Sequence, residues 1–351
     1  MKRIIFLGIV VLISYTTIAQ NGIRKIQSQS EKILPEDTTH LSGWKSGGVF
    51  SLGIGQGASS NWAAGAETFS FSIGSYGSLF ANLKSGKLSW DNTLDMGYAL
   101  VKTSSQGARK TDDKIDLYSK LARDLSNKLS IGGVANFRTQ FTKGFDYNYL
   151  GKGLKRATSS FMAPAYLILA PGIDWHPKDY FSIFLSPVAG RFVIVSTDTK
   201  RYYYNDGLIP DSIRTPATGN FEVPLAILYG VDPNTKVRSE LGGFASVNFF
   251  KEIFKNVAFK TRLDLYSNYL QTDQFEVTGP DEFVVTKVDA RPDKVDVFWT
   301  NLIVMKINKY LNVNYSIDLI YDDDVRQFGT YNRSAATQFR SQLTIGFSAS
   351  F

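Results

Sequence analysis

The sequence predicts an all-β chain: a single antiparallel up-and-down transmembrane β-barrel of about twelve strands, set in a bacterial outer membrane. Three observations predict it. The C-terminal stretch Thr337 to Phe351 alternates, with Phe339, Leu343, Ile345, Phe347, Ala349 and Phe351 on one side and Arg340, Gln342, Thr344, Gly346, Ser348 and Ser350 on the other; only Ser341 interrupts the apolar row. Apolar-out, polar-in alternation over about ten residues is what a membrane-spanning strand requires. The N-terminus carries an export signal, and no later stretch approaches the ~20 apolar residues of a membrane helix. Finally, alternating segments recur along the chain with short and long connections taking turns, as in outer-membrane barrels.

The export signal occupies residues 1–19. Lys2 and Arg3 form a positive head, Ile4 to Tyr15 a short apolar core, and Thr17-Ile18-Ala19 a small-residue cleavage site before Gln20. Residues 20–43 are polar and read as a periplasmic leader or a small plug; the barrel is expected over 44–351. The absence of cysteine excludes a lipidated N-terminus, disulfides and thiolate metal sites. A formal charge of +7, two units of it in the cleaved head, is scattered and gives no argument for nucleic acid. Mean hydropathy is -0.12, as expected when only every second residue of a strand meets lipid.

In order, the strands are expected near Ser46 to Gln56, Thr68 to Leu83, Lys87 to Lys102, Lys114 to Asp124, Lys128 to Phe141, Phe161 to Ile173, Tyr180 to Val195, Val237 to Phe249, Val257 to Leu270, Val295 to Asn308, Leu311 to Asp322 and Thr337 to Phe351. The third shows the pattern well: Leu88, Trp90, Leu94, Met96, Tyr98 and Leu100 oppose Ser89, Asp91, Thr93, Asp95, Gly97 and Ala99. Pro164 and Pro187 remove ladder donors from the sixth and seventh strands, and His176-Pro177-Lys178-Asp179 is read as the turn between them.

With both termini periplasmic, the strand count is even and short turns alternate with long outer loops. The long loops fall near 57–67, 103–113, 142–159, 196–236, 271–294 and 323–336. Ten or fourteen strands satisfy the same parity, and Gly219 to Tyr229 in the longest loop has room for an extra element. Trp90, Trp175, Tyr180, Tyr310 and Phe351 fall at periplasmic ends, and Tyr98, Phe141, Tyr269 and Tyr321 at outer ends. The eight residues from Trp90 to Tyr98 span about 20 Å of height, near that of an apolar band between two aromatic girdles. Phe351 also resembles the terminal aromatic signal read by barrel-assembly machinery.

On this register Asp91, Asp95, Lys114, Asp116, Lys120, Arg138, Gln140, Lys260, Arg262, Asp264 and Arg340 line the lumen, with both signs of charge present. Twelve strands give a backbone radius of roughly 12 Å. Two readings follow: paired charges packing a nearly closed lumen, or a narrow polar channel.

Trp44-Lys-Ser-Gly-Gly-Val-Phe-Ser-Leu, Ser60-Asn61-Trp62-Ala63-Ala64-Gly65, Leu88-Ser-Trp90-Asp91-Asn92 and Lys110-Thr-Asp112-Asp113-Lys114 resemble a family of uncharacterised outer-membrane barrels of Bacteroidota type, known as a domain of unknown function. The resemblance is densest over residues 44–190. It departs from the family at Gly65-Ala66-Glu67, where two glycines often precede the acidic residue. It implies location and fold and transfers no catalytic residue.

The remaining motifs are weak. Gly53-Ile-Gly55-Gln-Gly57 approaches a dinucleotide-binding pattern but runs into a strand instead of a helix. Two histidines, His40 and His176, neither beside a serine at a strand end, disfavour an outer-membrane hydrolase. Asp112-Asp113 and Asp322-Asp323-Asp324 are acidic outer strand ends. They would suit Ca²⁺ in ligand type, but lack the spacing of a calcium loop and read first as solvated acids. Lys143, Lys152, Lys155 and Arg156 in one loop could meet lipid phosphates, or remain a solvated loop of mixed charge. No cofactor is implied. The expected partners are outer-membrane lipid, the assembly machinery through Phe351, and small solutes. The leading functional expectation is a narrow pore or transporter; the alternatives are an occluded barrel that binds a partner through its loops or leader, and an enzyme.

Overall fold

The computed structural model describes residues 43–350, apart from 61–66, 179, 197, 205–206, 217, 309–310 and 326–334. The expected export signal, nearly all of the expected leader, Tyr310 and Phe351 therefore lie outside the described residues, as does the side chain of Arg340.

The strands are β1 Gly43–Ala58, β2 Phe69–Ser85, β3 Leu88–Thr103, β4 Gly107–Ser126, β5 Leu129–Thr139, β6 Gly144–Tyr149, β7 Leu154–Ser159, β8 Ala165–Lys178 and β9 Phe181–Ile194. They continue as β10 Val237–Phe254, β11 Val257–Asn268, β12 Thr272–Gly279, β13 Glu282–Val288, β14 Val295–Lys306, β15 Leu311–Tyr321 and β16 Gln338–Ser350. Among the described residues twelve of these form one antiparallel ring, ordered β1-β16-β15-β14-β11-β10-β9-β8-β5-β4-β3-β2. The ring is completed by β1 against β16, where Val49 to Leu52 pair with Ser350 to Phe347. The other four strands are two hairpins, β6-β7 and β12-β13, standing on the outer loops. The twelve-strand expectation holds, and long loops 142–159 and 271–294 are themselves hairpins.

The wall is built inside-out relative to a soluble core. Leu52, Ile54, Leu117, Leu121, Leu169, Ile173, Leu185 and Phe339 are exposed on the outer surface, while Asp95, Asp116, Asp174, Arg191, Glu240, Asp264 and Asp318 are buried within the ring. Period-two alternation forces this: in β3, Asp95, Gly97, Ala99, Val101 and Thr103 all turn inward. At the short-turn end, Gly86 takes a left-handed φ of 56° in the two-residue turn that pairs Ser85 with Leu88. Aromatic side chains gather at that end, with Trp44 and Trp90 5.7 Å apart, Trp175 and Phe181 6.4 Å, and Tyr180 and Phe249 5.7 Å. Phe141 and Tyr269 are exposed towards the loop end, whereas Tyr98 and Tyr321 are only half-exposed.

Four expectations need correction. Residues 103–113 are no loop: β3 and β4 continue to Thr103 and Gly107 around a turn at Ser104 to Gln106. The polar residues there are paired within the sheet, Asp113 accepting hydrogen bonds from Lys110 Nζ, Phe141 N and Thr142 N at 2.6 to 2.8 Å. His176 is a strand residue near the end of β8, since a register shift between Trp175 and Lys178 accommodates Pro177 and the strand ends at Lys178. The sixth wall strand begins at Ala165, not Phe161, because Ser160 and Ala163 close a turn of their own before Pro164. Gly219 to Tyr229 adds no strand; it holds a single 3-10 turn, Ile227–Tyr229.

That turn belongs to a plug made by the β9-β10 loop. Leu225, Ala226, Leu228 and Val231 pack with Val193, Val195 and Ala163 in a fully buried cluster at the loop end of the ring. Glu222, 1% exposed, accepts hydrogen bonds from the backbone of Tyr203 and Tyr204 at 2.7 and 2.9 Å. Arg156 on β7 donates to the carbonyls of Arg201 and Val223, and the hydroxyl of Tyr229 donates to the Thr158 carbonyl at 2.9 Å. Arg156 is thus buried in the cap and does not face lipid phosphates, and Lys155 lies over the Phe145 ring at 4.1 Å.

Candidate functional site in the lumen

Charged side chains on the inner wall meet in three layers. Nearest the short turns, Lys120 pairs with Asp174 at 3.0 Å, and Asp91 lies opposite Lys120 in the β3-β4 ladder.

The middle layer crosses the bore. Asp116 is held by Lys114 at 2.9 Å and by Arg138 at 3.3 Å. From β5, Arg138 also reaches Asp264 on β11 at 3.4 Å and lies over the Phe298 ring on β14 at 4.5 Å. Those strands are not neighbours: β8, β9 and β10 separate β5 from β11, so the contacts can be made only through the interior. Arg262 on β11 grips Asp264 at 2.8 Å and approaches Tyr118 on β4 at 5.2 Å, a second bridge in the opposite sense. Asp264 is the hub, taking a third bond from Ser246 Oγ at 2.6 Å.

The outer layer lies under the loop cap. Arg191 pairs with Glu240, with Asp296 at 2.7 Å, and with Asp322 and Asp324 at 3.7 Å each. Arg238 pairs with Glu240 at 2.9 Å and with Asp324 at 3.2 Å. Arg291 takes Asp323 at 2.7 Å. The run Asp322 to Asp324 is therefore neither a calcium loop nor a solvated acid patch: arginines reached from other strands and loops occupy it. Asp324 stands just beyond β15, and burial pushes its carboxyl above the ordinary value of 3.8; Arg238 opposes the rise, while Glu240 and Asp322 add to it. A carboxyl whose pKa is raised on folding loses stability as pH climbs from the unfolded value through the folded one. The native chain should therefore lose stability relative to Asp324→Asn as pH rises above the ordinary carboxyl value, read by guanidinium unfolding in vesicles. A native chain that gains on the variant over that rise would contradict the assignment.

Between the middle and outer layers lies a cavity of about 400 Å³. Tyr166, Ile168, Phe244 and Phe298 give it apolar walls, Arg138 and Asp264 form its floor, and Tyr229 of the loop cap reaches its upper side.

Of the residues assigned to the lumen by alternation, Lys114, Asp116, Arg138, Arg262 and Asp264 converge in the middle layer. Asp95 is buried opposite Asp116 in the β3-β4 ladder, and Lys260 is half-buried lower on β11. Gln140 sits higher and turns to the β7-β8 connection, donating to the Ala163 carbonyl at 3.0 Å. Arg340 lies opposite Asp318 in the β15-β16 ladder. Sequence reasoning missed Tyr118, Asp174, Arg191, Arg238, Glu240, Tyr266 and Asp296. Arg238 and Glu240 alternate with Ser239 and Leu241 at the start of β10, a signal that was available. Arg191 was hidden by a bulge near Pro187: Ser186 and Ala189 are both buried, so parity switches between them.

Residues 54–145 match the model of a family described as a protein of unknown function, DUF3078. No curated protein matches the chain by sequence. Among solved structures, an outer membrane channel from Pseudomonas putida F1 is 11% identical, covering 90% of this chain and 99% of its own, with a TM-score of 0.37. The translocator domain of the autotransporter NalP from Neisseria meningitidis is 10% identical over 93% and 95%, at 0.34. The toluene transporter TodX of Pseudomonas putida is 7% identical over 95% of each chain, at 0.31. At these identities and scores the likenesses say nothing of this chain's activity.

Proposed function

We propose that this chain is a non-catalytic outer-membrane barrel that admits small solutes through a lumen held shut at its outer end by the β9-β10 loop. The apolar outer surface, its aromatic-rich short-turn end and the charged interior support a membrane setting, since a soluble barrel would place these faces the other way round. The observation that carries the transport reading is the chamber of about 400 Å³ left between cap and middle layer. A barrel packed solid by its paired charges would leave no such room, and the volume lies in the range that holds a small molecule.

A second reading, the occluded barrel that acts through its loops, draws on the bridges Arg138 and Arg262 make across the bore. Flux separates the two. Purified chain in liposomes should pass a pentose slowly but measurably above protein-free vesicles. No flux from either the native chain or a variant with a loosened cap would leave the occluded reading in its place. Cell fractionation tests the setting, and recovery in soluble periplasm would refute it.

A further inference from the structure

Among the described residues, three that line the chamber have a buried atom with no hydrogen-bond partner: Arg138 Nε on the floor, which is ion-paired to Asp116, and two that lie together, Tyr266 and Arg191. Tyr266 on β11 is 4% exposed and lines the chamber, and its hydroxyl bonds to nothing. Arg191 on β9, 5% exposed, lines the same chamber; its Nη2 stands 3.7 Å from Asp324, beyond hydrogen-bond reach, and has no other partner. The two are neighbours, with the guanidinium over the Tyr266 ring at 4.3 Å. Buried donors left unmade destabilise a fold, so their presence at one cavity wall points to an oxygen that belongs there.

The surroundings narrow what carries that oxygen. Among the lining residues, Lys114, Arg138 and Arg191 match Asp264, Asp296 and Asp322 in formal charge, so the wall offers no net charge to hold an ion of either sign. An ammonium ion only donates and cannot serve the Arg191 N–H. The rest of the wall is largely aromatic and aliphatic, and the volume lies in the range of small-molecule sites.

We infer that the chamber binds an uncharged, mainly apolar small molecule bearing a hydroxyl or carbonyl oxygen. The oxygen is received by Arg191 and Tyr266, and the body rests against Tyr166, Phe244 and Phe298. The site stands on the chamber itself; that the molecule is also a transported solute rests on the function proposed above.

Three probes with one body test it: 2-naphthalenemethanol, 2-naphthoate and 2-naphthylmethylammonium, titrated calorimetrically into the full chain in micelles with empty micelles subtracted. The alcohol should bind saturably, about tenfold or more tighter than either ion. Tyr266→Phe should weaken the alcohol about fivefold and leave 2-methylnaphthalene unaffected. Ile168→Trp, which fills the chamber, should abolish binding while the barrel keeps its heat-modifiable mobility. Absence of saturable binding, preference for a charged probe, or indifference of the alcohol to Tyr266→Phe would each overturn the site. Flux is read separately: a chain that binds without conducting overturns transport and keeps the site, and one that conducts without binding overturns the site alone.

Discussion

Replacing Asp264 with alanine is expected to lower the unfolding free energy by about 3–5 kcal/mol, the cost of removing one partner from a buried ion pair. The side chain is 8% exposed and receives Arg262 at 2.8 and 2.9 Å, Ser246 Oγ at 2.6 Å and Arg138 at 3.4 Å. Its loss leaves the Arg262 guanidinium with no carboxylate bonded to it, and Asp116 as the acid that both Arg262 and Arg138 must share. Water entering from the chamber offsets part of that cost, so Asp264→Asn, which keeps the shape and an acceptor oxygen, should lose less. Guanidinium unfolding in vesicles reads both. A loss under about 1 kcal/mol for the alanine variant would mean that the layer is hydrated and loosely held, as surface pairs are.

Arg156→Ala is expected to raise solute flux roughly tenfold while leaving the stability of the wall nearly unchanged. Arg156 is 2% exposed, packs over the Tyr149 ring at 4.7 Å, and donates to two carbonyls of the cap, those of Arg201 and Val223. Hydrogen bonds from a charged donor contribute about 1.5–3 kcal/mol each, and about 1.4 kcal/mol is a factor of ten in an opening equilibrium. The twelve wall strands take no part in these bonds, so the effect should fall on the cap. Arg156→Lys keeps the charge but loses the forked geometry and should lie between. Flux unchanged from the native chain in both variants would show that the cap does not limit passage.

The wall was legible in the sequence because period-two alternation is a strong signal when one face meets lipid and the other charge. Trp90, Asp91, Leu94 and Asp95 reveal their own sides of β3 without further help. The site was legible only in part. Asp116, Arg138, Arg262 and Asp264 could be sent inward by parity, but which would meet depends on how a closed ring brings β5 opposite β11 and β14, which no local pattern encodes. Arg191 was lost to a bulge, since one extra residue moves every later side chain to the other face. The cap was illegible for another reason. Leu225, Leu228 and Val231 are apolar residues in a loop with no periodicity, and only their burial against Val193 and Val195 shows what they do.

The chain contains no cysteine, so a single introduced thiol reports on one place. Ile168→Cys puts it on the chamber wall, beneath the cap. If the cap governs passage through the lumen, a membrane-impermeant maleimide applied to the outer face should label this cysteine slowly in the otherwise native chain and much faster when Arg156→Ala is added. Equal labelling in the two backgrounds, whether fast or absent, would contradict a solute route controlled by the cap.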